Sequence, residues 1–288
     1  MKMAAKLIDG KVVSAKIRGE IREAAEAFKA ERKRAPGLAV VRVGEDPASI
    51  VYVRNKLRAC EEVGFYSEPH ILPENVTTEE VIKVIESLNA DPNIDGMLVQ
   101  LPIPRHLDEK KILAAVSDDK DVDAFHTLDA GHLTLGDANV LPCTPAGIME
   151  MLKHYDIEVA GKECVVVGRS NIVGRPMAAL LLAADGTVTI AHSRTKDLGA
   201  VCRRADILVS AVGRAKVITA DMVKEGAVVV DVGMNRNEEG KLCGDVDFDA
   251  VSEVASYITP VPGGVGPMTV TMLMKNTLIA AKNAAANN

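Results

Sequence analysis

The feature that most narrows the folds open to this chain is a repeated alternation. Short runs of β-branched and apolar residues are each followed by a stretch with helical spacing. The run GLAVVRV at 37–43 lacks the polar alternation of a strand wetted on one side, so it reads as a strand buried on both faces. Residues 46–63 follow, with Ile50, Val53, Leu57 and Cys60 on one helical stripe. Residues 66–72 form a second strand, and 78–88 a helix announced by Thr77-Thr78 ahead of Glu79-Glu80. Residues 96–101 form a third strand, closed by Pro102 and Pro104. Connections this long join parallel strands, so the first half is expected to be a largely parallel sheet covered by helices.

A polar, turn-rich stretch at 117–142 interrupts the rhythm. A helix at 145–155 then opens a second series, with strands at 164–167, 188–191, 207–210 and 228–232 and helices at 176–184 and 196–202. The expected organisation is two α/β domains, residues 1–146 and 147–266, the second Rossmann-like. After Pro260-Val261-Pro262-Gly263-Gly264 a last long helix runs over about 267–285, and it is expected to pack back on the first domain.

Composition removes several function classes. The 288 residues are 48% hydrophobic, enough for two buried cores. The net charge is -6, the pI about 5.6, and no basic stripe is present, which argues against a nucleic-acid partner. Cations at 29–34 (KAERKR) close a helical pattern, where they suit the C-terminal dipole. Aromatics are 3% with no Trp, too few for base-stacking platforms. No apolar run approaches the roughly 20 residues of a membrane span. The start carries two lysines but no apolar signal-peptide core. Five cysteines (60, 143, 164, 202 and 243) make neither a CxxC pair nor a metal spacing, so reduced thiols, a cytoplasmic setting and no metal are expected.

The segment 163–176, ECVVVGRSNIVGRP, is strand, glycine turn and helix. A glycine directly after a strand lets backbone approach a pyrophosphate, and the next helix start offers N–H groups to the anion. The spacing is not GxGxxG, so a βα turn without a ligand stays open on this segment alone. The following strand ends at Ala191, where an NAD enzyme would place an acid for the ribose 2′-hydroxyl. Here the residues are His192-Ser193-Arg194-Thr195. A hydroxyl and a guanidinium suit a 2′-phosphate, with Arg169 and Arg175 adding positive charge, so NADP is favoured over NAD. Ser210-Ala211-Val212-Gly213 and Asp231-Val232-Gly233 end two later strands with glycine, as expected beside a dinucleotide.

In the first half, Ser49, Tyr52 and Lys56 are spaced to share a helical face, set opposite the apolar stripe. A Lys beside a Tyr in a partly dry site can exchange protons near neutral pH, although a snorkelling Lys and an interfacial Tyr would look the same. Gln100 ends a buried strand and needs partners, since an unpaired buried amide costs about 1–3 kcal/mol. Lys120-Asp121-Val122-Asp123 supplies two acids in a loop, of which Asp123 can anchor the amino group of a heterocycle.

The segments SIVYVRNK, DGMLVQLPIP, KDVDAFH, PCTPAGI, GRSNIVGRP and TPVPGGVGPMT, in this order over nearly the whole chain, resemble the signatures of the bifunctional methylenetetrahydrofolate dehydrogenase/cyclohydrolase family. The resemblance implies a homodimer of two-domain subunits with a folate cleft between the domains, tetrahydrofolate derivatives as substrates, and NADP as cofactor. It implies Lys56 in proton transfer and water activation, Tyr52 orienting the folate, Gln100 tuning Lys56, and Asp123 on the pterin-like ring. Ser49, Val99, Leu101, Pro102, Pro262, Gly263 and Gly264 would line the substrate. Gly168, Arg169, Ser170, Ile172, Val173, Gly174, His192, Ser193, Arg194, Ala211, Val212, Gly213 and Gly233 would border NADP. One departure is visible: the family has Gly where this chain has Ala124. If that position needs positive φ, Ala is strained by roughly 1 kcal/mol.

Three rivals frame the reading. A monofunctional dehydrogenase lacking the cyclohydrolase step is nearest. A short-chain dehydrogenase is suggested by the YxxxK of Tyr52 and Lys56, but there the glycine turn precedes that pair, and here it follows. A non-catalytic NADP-binding module would leave Lys56, Gln100 and Asp123 without a common task.

Overall fold

A computed structural model describes residues 4–286. Within them the chain divides into two compact units, one of residues 16–143 with 270–286, the other of residues 4–15 with 144–269. The chain enters through β1 (Lys6–Leu7) and α1 (Gly10–Arg32). It then builds β2 (Gly37–Val43), α2 (Pro47–Val63), β3 (Tyr66–Leu72), α3 (Thr78–Ala90) and β4 (Gly96–Val99). These three strands form one parallel sheet, ordered β3-β2-β4.

All seven residues of the central strand β2 are buried, Arg42 among them, as expected of a strand covered on both faces. Ala39, Val41 and Val43 share a face with Met97 and Val99, covered by Val81, Ile85 and Leu88 of α3 and by Ile112 of α4 (Glu109–Ala114). Each of the larger of these side chains contributes roughly 1.5–3 kcal/mol on burial. β3 is the more exposed of the two edge strands, with Tyr66 and Ile71 exposed. Helix starts are set by side chains. The Asp46 carboxylate accepts the Ser49 N–H at the head of α2, where Pro47 needs no partner. Thr77 and Glu80 close a reciprocal capping box on α3.

Three expectations are corrected here. The third strand stops at Val99 rather than residue 101; Gln100 makes one more ladder bond, its N–H to the Val41 carbonyl (2.8 Å), and Pro102 has no N–H with which to continue. The turn-rich stretch holds a helix, α5 (Thr127–Leu135), capped by the His126 ring accepting the Leu128 N–H. Arg34 lies beyond α1 and grips the buried Asp95 with two bonds of 2.7 Å, so it belongs to the fold and not to a helix-end charge cluster.

The second unit continues through α6 (Cys143–His154), β5 (Glu163–Val167), α7 (Gly174–Ala183), β6 (Thr187–Ala191), α8 (Leu198–Cys202), β7 (Ile207–Ser210) and β8 (Val228–Asp231). A small antiparallel pair, β9 (Asn235–Arg236) and β10 (Leu242–Cys243), precedes α9 (Phe248–Ser252), β11 (Tyr257–Ile258) and α10 (Val265–Ala286). Six strands form one parallel sheet in the order β1-β11-β8-β7-β5-β6. Val165, Val167, Leu208, Val229 and Ile258 anchor its core. The chain's first strand thus completes the sheet of the second half, where the expected division had assigned it to the first. From β5 the chain steps to β6 on one side, then crosses back to β7 on the other. That reversal is a topological switch point, the place where open α/β sheets bind ligands.

Candidate active site

In the first unit the site begins with the face that α2 buries. At 100° per residue, Ser49, Val53, Lys56 and Cys60 fall within about 60° of one another. Accordingly Ser49 is 2% exposed, Val53 and Cys60 are buried as the stripe read from sequence expects, and Ile50, at 40% exposed, falls outside it. Lys56 therefore lies along the packed side of the helix and not opposite it. It is half-buried, and its Nζ donates to Gln100 Oε1 at 3.1 Å. Gln100 is buried, and its amide nitrogen donates to the Leu101 carbonyl at 2.6 Å, which turns the oxygen toward the lysine. Both halves of the buried amide are satisfied. Tyr52, one turn before Lys56, is 38% exposed. Val99 is buried in the core cluster with α3, so its side chain does not line a substrate as expected. Leu101 is half-buried and Pro102 exposed at the same strand end.

The loop carrying Asp123 is organised by Asp121, an acid the sequence reading named without giving it a role. One Asp121 oxygen accepts the N–H groups of Asp123 and Ala124 (3.1 Å each), and the other those of Phe125 (2.8 Å) and His126 (2.7 Å). The loop needs this grip, because Ala124 is held at φ +56, the left-handed region the departure from glycine had raised. From outside the loop, buried Asn276 of α10 donates to the carbonyls of Val122 (2.9 Å) and Leu141 (2.8 Å). Burial, helped by Asp123, holds the Asp121 carboxyl above its ordinary range. Burial and then Asp121 and Asp118 push the nearby Asp129 carboxyl up to about 7. The wholly buried Cys143 thiol lies 3.8 Å from Asp123 Oδ1. Burial first and Asp123 next push that thiol well up, while Lys56 pulls it down. The Cys143 thiol thus adjoins the acid, and the Lys56–Gln100 hydrogen bond joins the lysine to the amide.

In the second unit the glycine turn lies at the switch point. Gly168 follows β5 with φ +134, and a Cβ there would collide with the Ala211 carbonyl after β7. A Cβ on Gly174 would collide with the Gly168 carbonyl, so both glycines keep the turn tight against its neighbours. Ser170 Oγ accepts the Val173 (3.2 Å) and Gly174 (3.3 Å) N–H groups, so these two are not free for an anion as the sequence reading supposed. Arg169, Ser170 and Ile172 are exposed, and Val173 half-buried. After β6 a turn forms in which the His192 N–H meets the Thr195 hydroxyl (2.8 Å) and the Arg194 N–H meets the His192 ring (3.1 Å). It displays Ser193 and Arg194 to solvent. A tight glycine turn at a switch point, with a hydroxyl and a guanidinium one strand away and no acid on that turn, fits a dinucleotide bearing a 2′-phosphate. Val212 and Gly213 follow β7, and Gly233 is buried after β8. Gly263 and Gly264 pack on the start of α1: the Gly10 N–H donates to the Gly263 carbonyl (3.0 Å), and a Cβ on Gly10 would collide with Gly264. Pro262 is exposed beside them.

Comparison with known proteins agrees along the chain. The catalytic-domain model of tetrahydrofolate dehydrogenase/cyclohydrolase matches residues 8–123, and its NAD(P)-binding-domain model matches residues 142–285. The bifunctional protein FolD of Moorella thermoacetica is 58% identical over 280 residues, 97% of this chain and all of that one. The structure of the bifunctional FolD methylenetetrahydrofolate dehydrogenase/cyclohydrolase from Campylobacter jejuni superposes with a TM-score of 0.95 at 50% identity, covering 97% of this chain and 99% of the other. Trypanosoma brucei FolD, solved with NADP cofactor and an inhibitor, gives 0.94 at 38% identity, covering 98% and 99%.

Proposed function

Because the chain belongs to the tetrahydrofolate dehydrogenase/cyclohydrolase family, we infer that it is an enzyme of two consecutive steps on one-carbon-loaded tetrahydrofolate. It oxidises 5,10-methylenetetrahydrofolate to 5,10-methenyltetrahydrofolate with NADP, then hydrolyses the methenyl compound to 10-formyltetrahydrofolate. The observation that carries the hydrolytic half, against a dehydrogenase alone, is the Lys56–Gln100 pair. A dehydrogenase needs only orientation of its two reactants. A lysine whose Nζ is fixed by a backbone-anchored amide is equipment for moving a proton.

The residues divide the work. NADP, bound at the switch point, supplies the hydride acceptor. Ser193 and Arg194 hold its 2′-phosphate, Arg169 adds charge, and the backbone at Gly168, Gly174, Ala211, Val212, Gly213 and Gly233 gives close approach. Asp123 binds the amino group of the pterin ring, and Tyr52 orients the folate. Lys56 takes a proton from the water that adds to the methenyl carbon, while Gln100 keeps Nζ in place. Hydrolysis therefore runs without nicotinamide present. On its five free cysteines the chain is assigned to the reducing cytoplasm, and from the family resemblance to a homodimer, which sedimentation of the purified protein checks.

Lys56→Met is expected to abolish methenyl hydrolysis in a protein with unchanged circular dichroism. Wild-type turnover in that folded variant would remove Lys56 from the mechanism. Arg194→Ala is expected to raise the KM for NADP by roughly tenfold or more, the loss of a charge-assisted contact, and to leave that for NAD nearly unmoved.

A further inference from the structure

The loop after β7 is folded around a carboxylate that comes from thirty-odd residues further along the same unit. Asp245 is fully buried. Its Oδ2 accepts the Val212 (2.6 Å) and Gly213 (3.2 Å) N–H groups and the Ser210 hydroxyl (3.2 Å). Its Oδ1 accepts the Arg214 N–H (3.0 Å) and the Asn235 amide (2.9 Å). Successive backbone N–H groups converging on one point make the kind of nest that elsewhere holds a phosphate. In this chain the anion is supplied from within. Asp245 is seated in turn: its own N–H donates to Asp231 Oδ1 at 2.9 Å. Glycines stand where side chains would collide, a Cβ on Gly244 with the Asp231 carboxylate and one on Gly233 with Asp245. The nest adjoins the phosphate turn, since Gly168 packs on the Ala211 carbonyl.

We propose that Asp245 is a positioning residue of the dehydrogenase step, an internal anion that shapes residues 211–214 to receive NADP. The proposal rests on the reading of that loop as a cofactor border. A carboxylate is required by the donor count. It is acceptor-only with about four lone-pair sites, whereas an amide of the same shape turns two N–H donors of its own against the nest. A carboxylate serving the fold alone would affect both reactions together. One serving the cofactor loop affects only the reaction that uses the cofactor.

The two activities make the test. In purified full-length Asp245→Asn, the NADP KM is expected to rise at least about tenfold with kcat within about twofold, while methenyl hydrolysis without nicotinamide keeps its wild-type rate. Asn235→Ala removes one donor from a partly exposed position and is expected to give a rise of about threefold in the same KM. It decides the matter if Asp245→Asn does not fold. An unchanged NADP KM in folded variants overturns the proposal, as does a parallel loss of both reactions in Asn235→Ala. If Arg194→Ala raises the KM and neither of these does, the positioning role fails and the cofactor site stands. If none of the three does, the cofactor site itself is misplaced.

Discussion

Asp121→Asn separates the loop's scaffold from its working group, and the structure sets the size of the effect. The carboxylate accepts four backbone N–H groups, two on each oxygen, inside a loop where Asp121 is buried. An asparagine oxygen keeps one pair, and its amide nitrogen faces the other pair donor to donor. Two bonds to a charged acceptor are lost, at about 1.5 kcal/mol each. Part of this is offset because burial already disfavours the charge on Asp121, leaving a net loss of about 2–3 kcal/mol. For a unit of this size that corresponds to a fall of roughly 5–10 °C in the melting midpoint. The KM for methylenetetrahydrofolate is expected to rise about tenfold as Asp123 loses its fixed backbone, with the NADP KM unmoved. Asp123→Asn is the control. Asp123 is half-buried and joins the cradle only through its backbone N–H, which the substitution leaves in place, so the melting point is expected to stay within about 2 °C while turnover of folate falls. Calorimetry with steady-state kinetics on the two variants checks both. If Asp121→Asn melts with the wild type and keeps its folate KM, the four-bond cradle does not hold the loop and the reasoning is wrong.

Three further outcomes follow from other parts of the molecule. Asp129 sits at about 7 in the folded state against an ordinary 3.8, so the unfolded chain ionises first and the native state loses stability as pH climbs from about 4 to about 7. Asp129→Asn escapes that loss: its melting point relative to wild type should improve through this window and level off above it, and a difference flat from pH 4 to 8 would count against the buried carboxyl. Gly174→Ala drives a Cβ into the Gly168 carbonyl, so NADP binding by titration should weaken by roughly tenfold or more, and wild-type affinity would show that the turn yields freely. Cys60, Cys143, Cys164 and Cys202 are buried, with thiols held well above the usual range by burial, whereas Cys243 is partly exposed. A thiol reagent on native protein should therefore label Cys243 quickly and the other four only on unfolding, and fast labelling that survives Cys243→Ser would refute it.

Much of the fold was legible because its signals are local. The mostly apolar, β-branched runs of β2, β5, β7 and β8 read as strands of a sheet covered on both faces, and all four are found there. Thr77 and Glu80 announce α3 by chemistry that acts within four residues. What escaped is what tertiary context decides. The two-residue strands β1 and β11 carry no periodicity, and they exist because a sheet edge offers them partners. α5, with Gly131 inside it and a histidine cap, has weak propensity of its own.

The site divides along the same line. Lys56, Gln100 and Asp123 stood out by residue type, an amide ending an apolar strand, a lysine one turn from a tyrosine and an acid in a loop, and the structure joins the first two by a hydrogen bond. The burial of Ser49 was not legible, because Ile50 and Leu57 mimic a stripe that the helix in fact turns to one side. Least legible were Asp121, Asp245 and Asn276, and the reason is general. Each works by pairing with main-chain groups: the carboxylates accept N–H, and the amide donates to C=O. Every residue type carries those main-chain groups, so no side-chain spacing betrays the partner. Asp245 lies 33 residues from Val212 and Asn276 lies 154 from Val122. Such residues surface only once the chain is folded, yet they hold the loops on which the readable ones stand. A sequence therefore shows chemistry-bearing side chains more readily than the residues that hold their loops, and Asp121→Asn and Asp245→Asn are the variants expected to tell the two kinds apart.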